Sequence, residues 1–267
     1  SVLTMKDITG GAEGLSDEDR SEAIYARVKE AYENRDKSRP FYLLIIGDAE
    51  YFDNGEDFLV PAPKSSIGWE PGYSDNFYAD MNGDHVPDIA VGRIPVRNDK
   101  DGAAVLDKIK QHENSYEPGL WNRRLNVYAG EGDFGPEIDA AIELAVQKGF
   151  EEVSYDFDIR FAYDNPASDY YYAPFQEITL KLLTEGAVMV VYIGHGGGET
   201  EVSSLTLLKS QHRFPMAVFF ACGTGDFLML DDSDPEILMK QTGAPFEFLV
   251  SETTSHPYGN AIFAREL

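Results

Sequence analysis

Two apolar runs of the sequence end abruptly in glycines around a reactive side chain. The run VVYI leads into GHGGG, which contains His195, and the run VFFA leads into CGTGD, which begins with Cys222. Neighbouring strands of an open parallel sheet end at the same edge, and ligands bind in the crevice outside their carboxyl ends. Nucleophilic catalysis uses a thiol beside an imidazole, because the thiolate attacks and the departing amine needs a proton. The sequence therefore predicts that Cys222 and His195 share one catalytic crevice.

Each of these residues alone also has a structural interpretation. A lone cysteine at a strand end is usually a small buried apolar residue, and a lone histidine is usually a satisfied core or surface residue. Their pairing favours catalysis, because Cys222 is the sole cysteine and His195, among five histidines, is the one that glycines flank after an apolar strand. His256 could line the same rim, which makes it a candidate substrate-binding residue.

Competing catalytic motifs are incomplete. The segment from His195 to Gly198 matches the oxyanion loop of lipases and esterases, but the serine elbow G-x-S-x-G occurs nowhere in the sequence. The zinc-protease pattern H-E-x-x-H fails after His112, because Tyr116 stands at its last position. A single cysteine also excludes an intrachain disulfide and any multi-thiolate metal site.

Short apolar runs alternate with amphipathic segments of helical length along the chain. This alternation predicts an α/β fold with a mostly parallel sheet flanked by helices on both faces. The predicted strands are residues 41–46, 89–91, 125–129, 152–157, 187–193, 216–221 and 246–250. The predicted helices are residues 17–34, 100–115, 137–148 and 175–185. The least periodic junction, near 117–122, predicts an N-terminal half over 1–118 and a C-terminal half over 119–267 that carries the His and Cys.

The charge balance narrows the choice of partners. The chain has 22 Lys and Arg against 47 Asp and Glu, which gives a net charge of −25. A field of that sign repels phosphate backbones and favours cations and basic polypeptides, so nucleic acid is not an expected partner. The longest apolar runs are well short of a membrane span. Because the sequence stops inside a predicted helix, we expect further domains in the full-length protein.

A second candidate site is a calcium loop. In the segment DMNGDHVPD, oxygen ligands recur at alternate positions, as a hard cation of this size requires. The candidate ligands are Asp80, Asn82, Asp84, the Val86 carbonyl and Asp88. The match to an EF-hand is incomplete, because its turn glycine and final glutamate are missing from the expected positions. The alternative is an acidic turn whose Asp and Asn side chains bind their own backbone.

The sequence resembles the gingipain-like cysteine peptidases, members of the caspase-like clan. The specific likeness is Gly194-His195-Gly196 followed by Ala221-Cys222 and then Gly225-Asp226-Phe227. Further landmarks are YLLIIGD over 42–48, Ser74-Asp75, Tyr78 and DIAVGRIP over 88–95. These landmarks run from about residue 41 to residue 256.

The resemblance implies a caspase-like α/β domain of two similar halves that is secreted or on the cell surface. It implies His195 as general acid and base, Cys222 as nucleophile, and the Gly196 and Cys222 amides as oxyanion hole. It also places Glu131 where the family carries an acidic residue that orients the histidine. In that family an acidic residue shortly after the Glu131 position selects substrates with basic side chains, and Asp133 lies near this position. Phe134 could instead occupy the substrate pocket and favour apolar substrates.

The expected function is a cysteine endopeptidase that hydrolyses polypeptides through a thioester on Cys222, with Ca²⁺ as a structural ion and no organic cofactor. Two alternatives remain open from the sequence. The same site could perform transpeptidation, in which an amine replaces water as the acyl acceptor. The chain could instead be a calcium-stabilised, non-catalytic binding module.

Overall fold

The structure is a computed structural model of the 267-residue chain. It describes residues 1–49, 59–65, 71–114, 117–130, 132, 134–151, 155–195, 213–229, 231–241, 243–244, 247–256 and 260. The helices are α1 (Met5–Thr9), α2 (Asp17–Glu33), α3 (Asp99–Asn114), α4 (Pro136–Glu151), α5 (Phe175–Glu185) and α6 (Asp234–Lys240). The strands are β1 (Tyr42–Ile46), β2 (Lys64–Ser65), β3 (Gly72–Tyr73), β4 (Ala90–Ile94), β5 (Arg124–Ala129), β6 (Asp158–Tyr163), β7 (Met189–Ile193), β8 (Met216–Phe220) and β9 (Glu247–Leu249). Short 3-10 helices cover Asp75–Tyr78 and Leu120–Arg123.

The chain divides into two compact units. The first contains Ser1–Gly102 and Phe227–Asp231, and the second contains Ala103–Asp226 and Asp232–Leu267. The division at Gly102 falls in the first part of α3, and the domain boundary at residues 118/119 stays a prediction.

The first unit is built around α2 and a parallel pair of strands, β1 and β4. Ser16 begins α2 with a capping box in which its hydroxyl and the Asp19 carboxylate each bind the other's backbone N–H. The buried residues Ile24 and Val28 of this helix pack in one apolar cluster with Ile45 of β1 and with Tyr78. Burial raises the pKa of Tyr78 to about 12, so this phenol stays protonated in the core.

The second unit contains a five-stranded sheet that carries the candidate site. Its strand order is β6-β5-β7-β8-β9, and every neighbouring pair is parallel. Successive side chains of β7 point to opposite faces, as the strand period requires. Tyr192 belongs to the apolar cluster that includes Leu182 of α5 and Leu238 of α6. Val191 belongs to a different cluster, against which Val146 of α4 packs. Helices therefore cover both faces of this sheet, which confirms the predicted α/β architecture.

Of the strand predicted over residues 152–157, residues 152–154 lie outside the described residues, and the prediction is wrong for residues 155–157. Helix α4 runs to Glu151, residues 155–156 form a turn, and the strand is β6, which pairs with β5 from Arg124↔Asp158 to Ala129↔Tyr163. The charged residues Asp158 and Arg160 interrupt the apolar run that would predict this strand from the sequence. Both belong to an ionic network at its start, in which Arg160 bonds Glu185 and Arg124 contacts Asp158. The four predicted helices are all present, whereas α1 and α6 escaped prediction because they are only five and seven residues long.

Candidate active site

His195 lies two residues beyond the end of β7, at the carboxyl edge of the parallel sheet. Its imidazole is exposed, as a group that meets a substrate must be. The backbone before it is held by the sheet, because the Gly194 N–H donates to the Phe220 carbonyl of β8 at 3.3 Å. The end of β7 therefore places the imidazole at the edge of the sheet.

Two groups from the loop after β5 contact the imidazole. Nε2 of His195 lies 2.7 Å from the main-chain oxygen of Gly132. The ring of Phe134 lies 5.4 Å from the imidazole centroid to centroid, with the two planes inclined by 40°. Phe134 itself is 47% exposed, so it covers one side of the imidazole while facing solvent.

Cys222 lies two residues beyond the end of β8 and is half-buried. Among the described residues, its hydrogen-bond partners are two main-chain groups of Ser255. The Ser255 N–H donates to Sγ at 3.3 Å, and Sγ donates to the Ser255 carbonyl at 3.6 Å. The loop after β9 thus holds the thiol in place.

The glycines after Cys222 let that loop approach. The Gly223 N–H donates to the Thr253 carbonyl at 2.9 Å, and the Gly225 N–H donates to the Ser251 carbonyl at 2.9 Å. At Gly225 a Cβ would overlap a methyl carbon of Val250 and lie 2.8 Å from the Val250 Cβ. The glycine at 225 is therefore required for close packing between the two loops.

The two candidate catalytic residues stand at equivalent positions on adjacent strands. β7 and β8 are parallel and hydrogen-bonded, with Ile193 opposite Phe220. Because His195 and Cys222 each follow these paired residues by two positions, the fold brings both to one edge of the sheet. Within the described part of the chain, the imidazole and the thiol are not hydrogen-bonded to each other.

Three predicted site residues, Glu131, Asp133 and Gly196, lie outside the described residues. The other oxyanion candidate, the Cys222 N–H, has no acceptor among the residues that the structure describes. His256 is exposed and directly follows Ser255, whose main chain contacts the thiol. It therefore lies where a rim residue is expected.

The predicted calcium loop is an acidic turn that binds much of its own backbone. Asp80 accepts N–H bonds from Gly83 at 2.6 Å and His85 at 2.9 Å. Burial alone would raise the pKa of Asp80, but the N–H groups of His85, Gly83 and Asn82 outweigh it and lower that pKa.

The other candidate ligands of this loop make similar bonds. Asn82 accepts from Asp84, Asp84 accepts from Val86, and Asp88 accepts from Met81. Although all nine residues are described, Asp80, Asp84 and Asp88 do not bring three carboxylate oxygens within 4.8 Å of one another. The acidic-turn alternative accounts for these contacts, and Ca²⁺ binding stays a prediction.

Sequence reasoning missed the groups that hold the two catalytic candidates. Ser255 and Gly132 act through their main chains, and neither side chain carries a signal that a sequence pattern detects. Asp139, near the start of α4, accepts a long hydrogen bond of 3.4 Å from the Phe134 N–H. Its position eight residues after Glu131 gave no indication that it supports the loop.

The fold and the site together define an α/β protein with a histidine and a cysteine at neighbouring strand ends. A sequence profile of peptidase family C25 matches residues 1–267. The chain belongs to peptidase family C25, which confirms the family resemblance. An uncharacterised protein of Archaeoglobus fulgidus is 27% identical over 169 residues, which are 58% of this chain and 38% of that protein.

Two solved structures share the fold. The complex of the pro- and mature domains of Porphyromonas gingivalis RgpB is 19% identical with a TM-score of 0.73, over 100% of this chain and 61% of that one. The Arg-specific cysteine proteinase gingipain R (RgpB) is 19% identical with a TM-score of 0.71, over 96% of this chain and 60% of that one. These likenesses confirm the caspase-like α/β fold. The chain spans less than two thirds of the length of these relatives.

Among the described residues, no helix combines the length and apolar character needed to cross a membrane.

Proposed function

We propose that this chain is a cysteine endopeptidase unit in which Cys222 is the nucleophile and His195 is the general acid and base. The observation that carries the proposal is the equivalent placement of these residues after Ile193 and Phe220, which are paired on adjacent parallel strands. Family membership supports the same assignment. The exposure of the imidazole and the partial exposure of the thiol leave both accessible to a polypeptide.

The reaction would proceed in two displacements. In the first, the Cys222 proton passes to His195, the sulfur bonds the substrate carbonyl carbon, and the C–N bond breaks as His195 protonates the departing amine. In the second, His195 takes a proton from water and the water oxygen bonds the thioester carbon. The C–S bond then breaks, and His195 returns the proton to the Cys222 sulfur. The Cys222 N–H, with no internal acceptor among the described residues, is the proposed oxyanion donor together with Gly196.

An internally quenched peptide library tests this function. We expect the wild-type chain to cleave peptides. The cleavage rate of both Cys222→Ala and His195→Ala should be lower by at least about a thousandfold, because nucleophile and acid act as a unit. Product analysis with an added primary amine separates hydrolysis from transpeptidation. An unchanged rate for Cys222→Ala rejects the proposal.

Several finer assignments stay proposals. Glu131 as an orienting carboxylate and Asp133 and His256 as substrate contacts rest on the family resemblance or on rim position. Location outside the cell or at its surface also rests on that resemblance. Further domains in the full-length protein stay a prediction. The proposed role of Ca²⁺ is to stabilise the loop from Asp80 to Asp88, which precedes β4.

A further inference from the structure

The contact between His195 and Gly132 determines where the imidazole carries its proton. Nε2 of His195 lies 2.7 Å from the main-chain oxygen of Gly132. A carbonyl oxygen accepts hydrogen bonds and cannot donate one, so Nε2 must be the donor. In the neutral imidazole, Nδ1 is then the nitrogen without a proton.

The carbonyl is held in place from two sides. On one side, the Gly130 N–H donates to the Ile193 carbonyl at the end of β7, at 2.9 Å. On the other side, Asp139 accepts from the Phe134 N–H at 3.4 Å. Asp139 is itself fixed in the first turn of α4, because its N–H donates to the Gly135 carbonyl at 2.9 Å. Gly130 and Phe134, which lie two positions before and after Gly132, are thus tied to β7 and to α4 respectively.

Asp139 also packs directly against Gly132. A Cβ at Gly132 would overlap Oδ1 of Asp139 and lie 2.7 Å from its Cγ. The carboxylate therefore occupies the space that any side chain at position 132 would need. This contact couples the position of the Asp139 side chain to that of the Gly132 carbonyl.

From these contacts we infer that the Gly132 carbonyl orients the catalytic imidazole at Nε2, a role that the family resemblance gives to Glu131, and that Asp139 is the positioning residue that holds this carbonyl. The inference rests on the proposed peptidase reaction. In that reaction Nδ1 accepts the Cys222 proton and returns it to the departing amine, while Nε2 keeps its proton throughout. Asp139 acts through the loop and does not touch the substrate.

The tautomer is measured by ¹⁵N NMR on the histidine-labelled 267-residue chain carrying Cys222→Ala, with His195→Gln to assign the signal. We expect the Nε2–H form at neutral pH, and the same form after Glu131→Gln is added. An Nδ1–H form, or a change of tautomer caused by Glu131→Gln, overturns the inference. Because this readout needs no turnover, it stands apart from the success or failure of the peptidase assignment.

Kinetics test the role of Asp139. Asp139→Ala should lower kcat by about tenfold to a hundredfold with KM within about twofold, since a misplaced catalytic group costs rate more than binding. Asp139→Asn should restore most of kcat, because its amide oxygen can still accept from Phe134. Glu137→Ala, an exposed neighbour in the same helical turn, is the matched control. Wild-type kcat in a folded Asp139→Ala variant overturns the positioning role.

Discussion

The phenyl ring of Phe134 lies against the imidazole of His195, with ring centroids 5.4 Å apart and planes inclined by 40°. Phe134 precedes α4, whereas His195 follows β7, so the contact joins two loops at one edge of the sheet. Contact with this ring limits the positions that the exposed imidazole can adopt.

Phe134→Ala should lower kcat/KM by about twofold to tenfold, because an aromatic pair contributes roughly 0.5–1.5 kcal/mol beyond its buried area. Stability should change little, since the ring is 47% exposed. Steady-state kinetics on one peptide measures the effect. Ile138→Ala, at a residue of α4 that is 54% exposed, is the control. Equal kinetics for the two variants would show that the ring contact has no catalytic role.

Gly225→Ala should destabilise the protein by about 1–3 kcal/mol, because the added methyl overlaps Val250 and forces the loops apart. Activity should fall with it, since the displaced loop carries the Ser255 N–H that bonds Cys222. Urea unfolding and peptide turnover report the two effects.

Gly149→Ala is the matched control for this substitution. Gly149 lies inside α4 with open space around it, so alanine there should stabilise by about 0.5–1 kcal/mol. If Gly225→Ala were as stable as wild type, the packing account of the Cys222 loop would be wrong.

Lys108 should make the stability of the protein depend on pH. Burial lowers the pKa of Lys108 to about 7, from 10.5 when unfolded. Between these values the unfolded chain binds more protons, so this residue makes the folded state more stable as pH rises from about 7 towards 10. Below pH 7 the Lys108 amine is protonated in both the folded and the unfolded state, so the full destabilisation from burying its charge is present.

Lys108→Met removes this titration. The difference in unfolding free energy between variant and wild type should therefore be most favourable to the variant at pH 7 and shrink towards pH 9.5. The loss of the 2.7 Å bond from Lys108 Nζ to the Leu238 carbonyl adds a constant offset that does not affect this slope. Lys110→Met, at an exposed position of the same helix, should show no slope. A pH-independent difference for Lys108→Met would contradict the account.

The sequence was sufficient to predict most of the sheet and the placement of Cys222. Apart from the buried Asn126, residues 125–129, 216–221 and most of 187–193 are apolar and lie between helices, so their patterns report their environment directly. β6 escaped prediction because it is an edge strand of this sheet, where Asp158 and Arg160 tolerate partial exposure.

The supporting contacts of the site were beyond sequence analysis for a different reason. Every residue has a main-chain carbonyl, and every residue except proline has a main-chain N–H. No side-chain pattern therefore marks the Gly132 carbonyl or the Ser255 N–H. Only the tertiary structure brings them to His195 and Cys222. The sequence shows the glycines at 223 and 225. Their packing against residues 250–253 is evident only from the structure, which places the loop after β9 beside them.

Ca²⁺ should raise the melting temperature if the loop from Asp80 to Asp88 binds it. Binding to the folded state alone stabilises by about 2.7 kcal/mol when the ion is in hundredfold excess over its dissociation constant. Asp84→Ala should abolish the shift, whereas Glu22→Ala, on the exposed surface of α2, should preserve it. Differential scanning fluorimetry with millimolar Ca²⁺ or EDTA makes the comparison. Identical melting curves would leave the segment as an acidic turn.

The role of Cys222 as nucleophile is tested most directly by alkylation of the native protein. Because the chain has a single cysteine, iodoacetamide reports on Cys222 alone. Intact mass and peptidase activity are followed on the same samples over time. We predict that activity falls in proportion to labelling and reaches zero at one label per chain. A native chain that is fully labelled and still cleaves peptides, or that resists labelling until it is unfolded, would contradict the account.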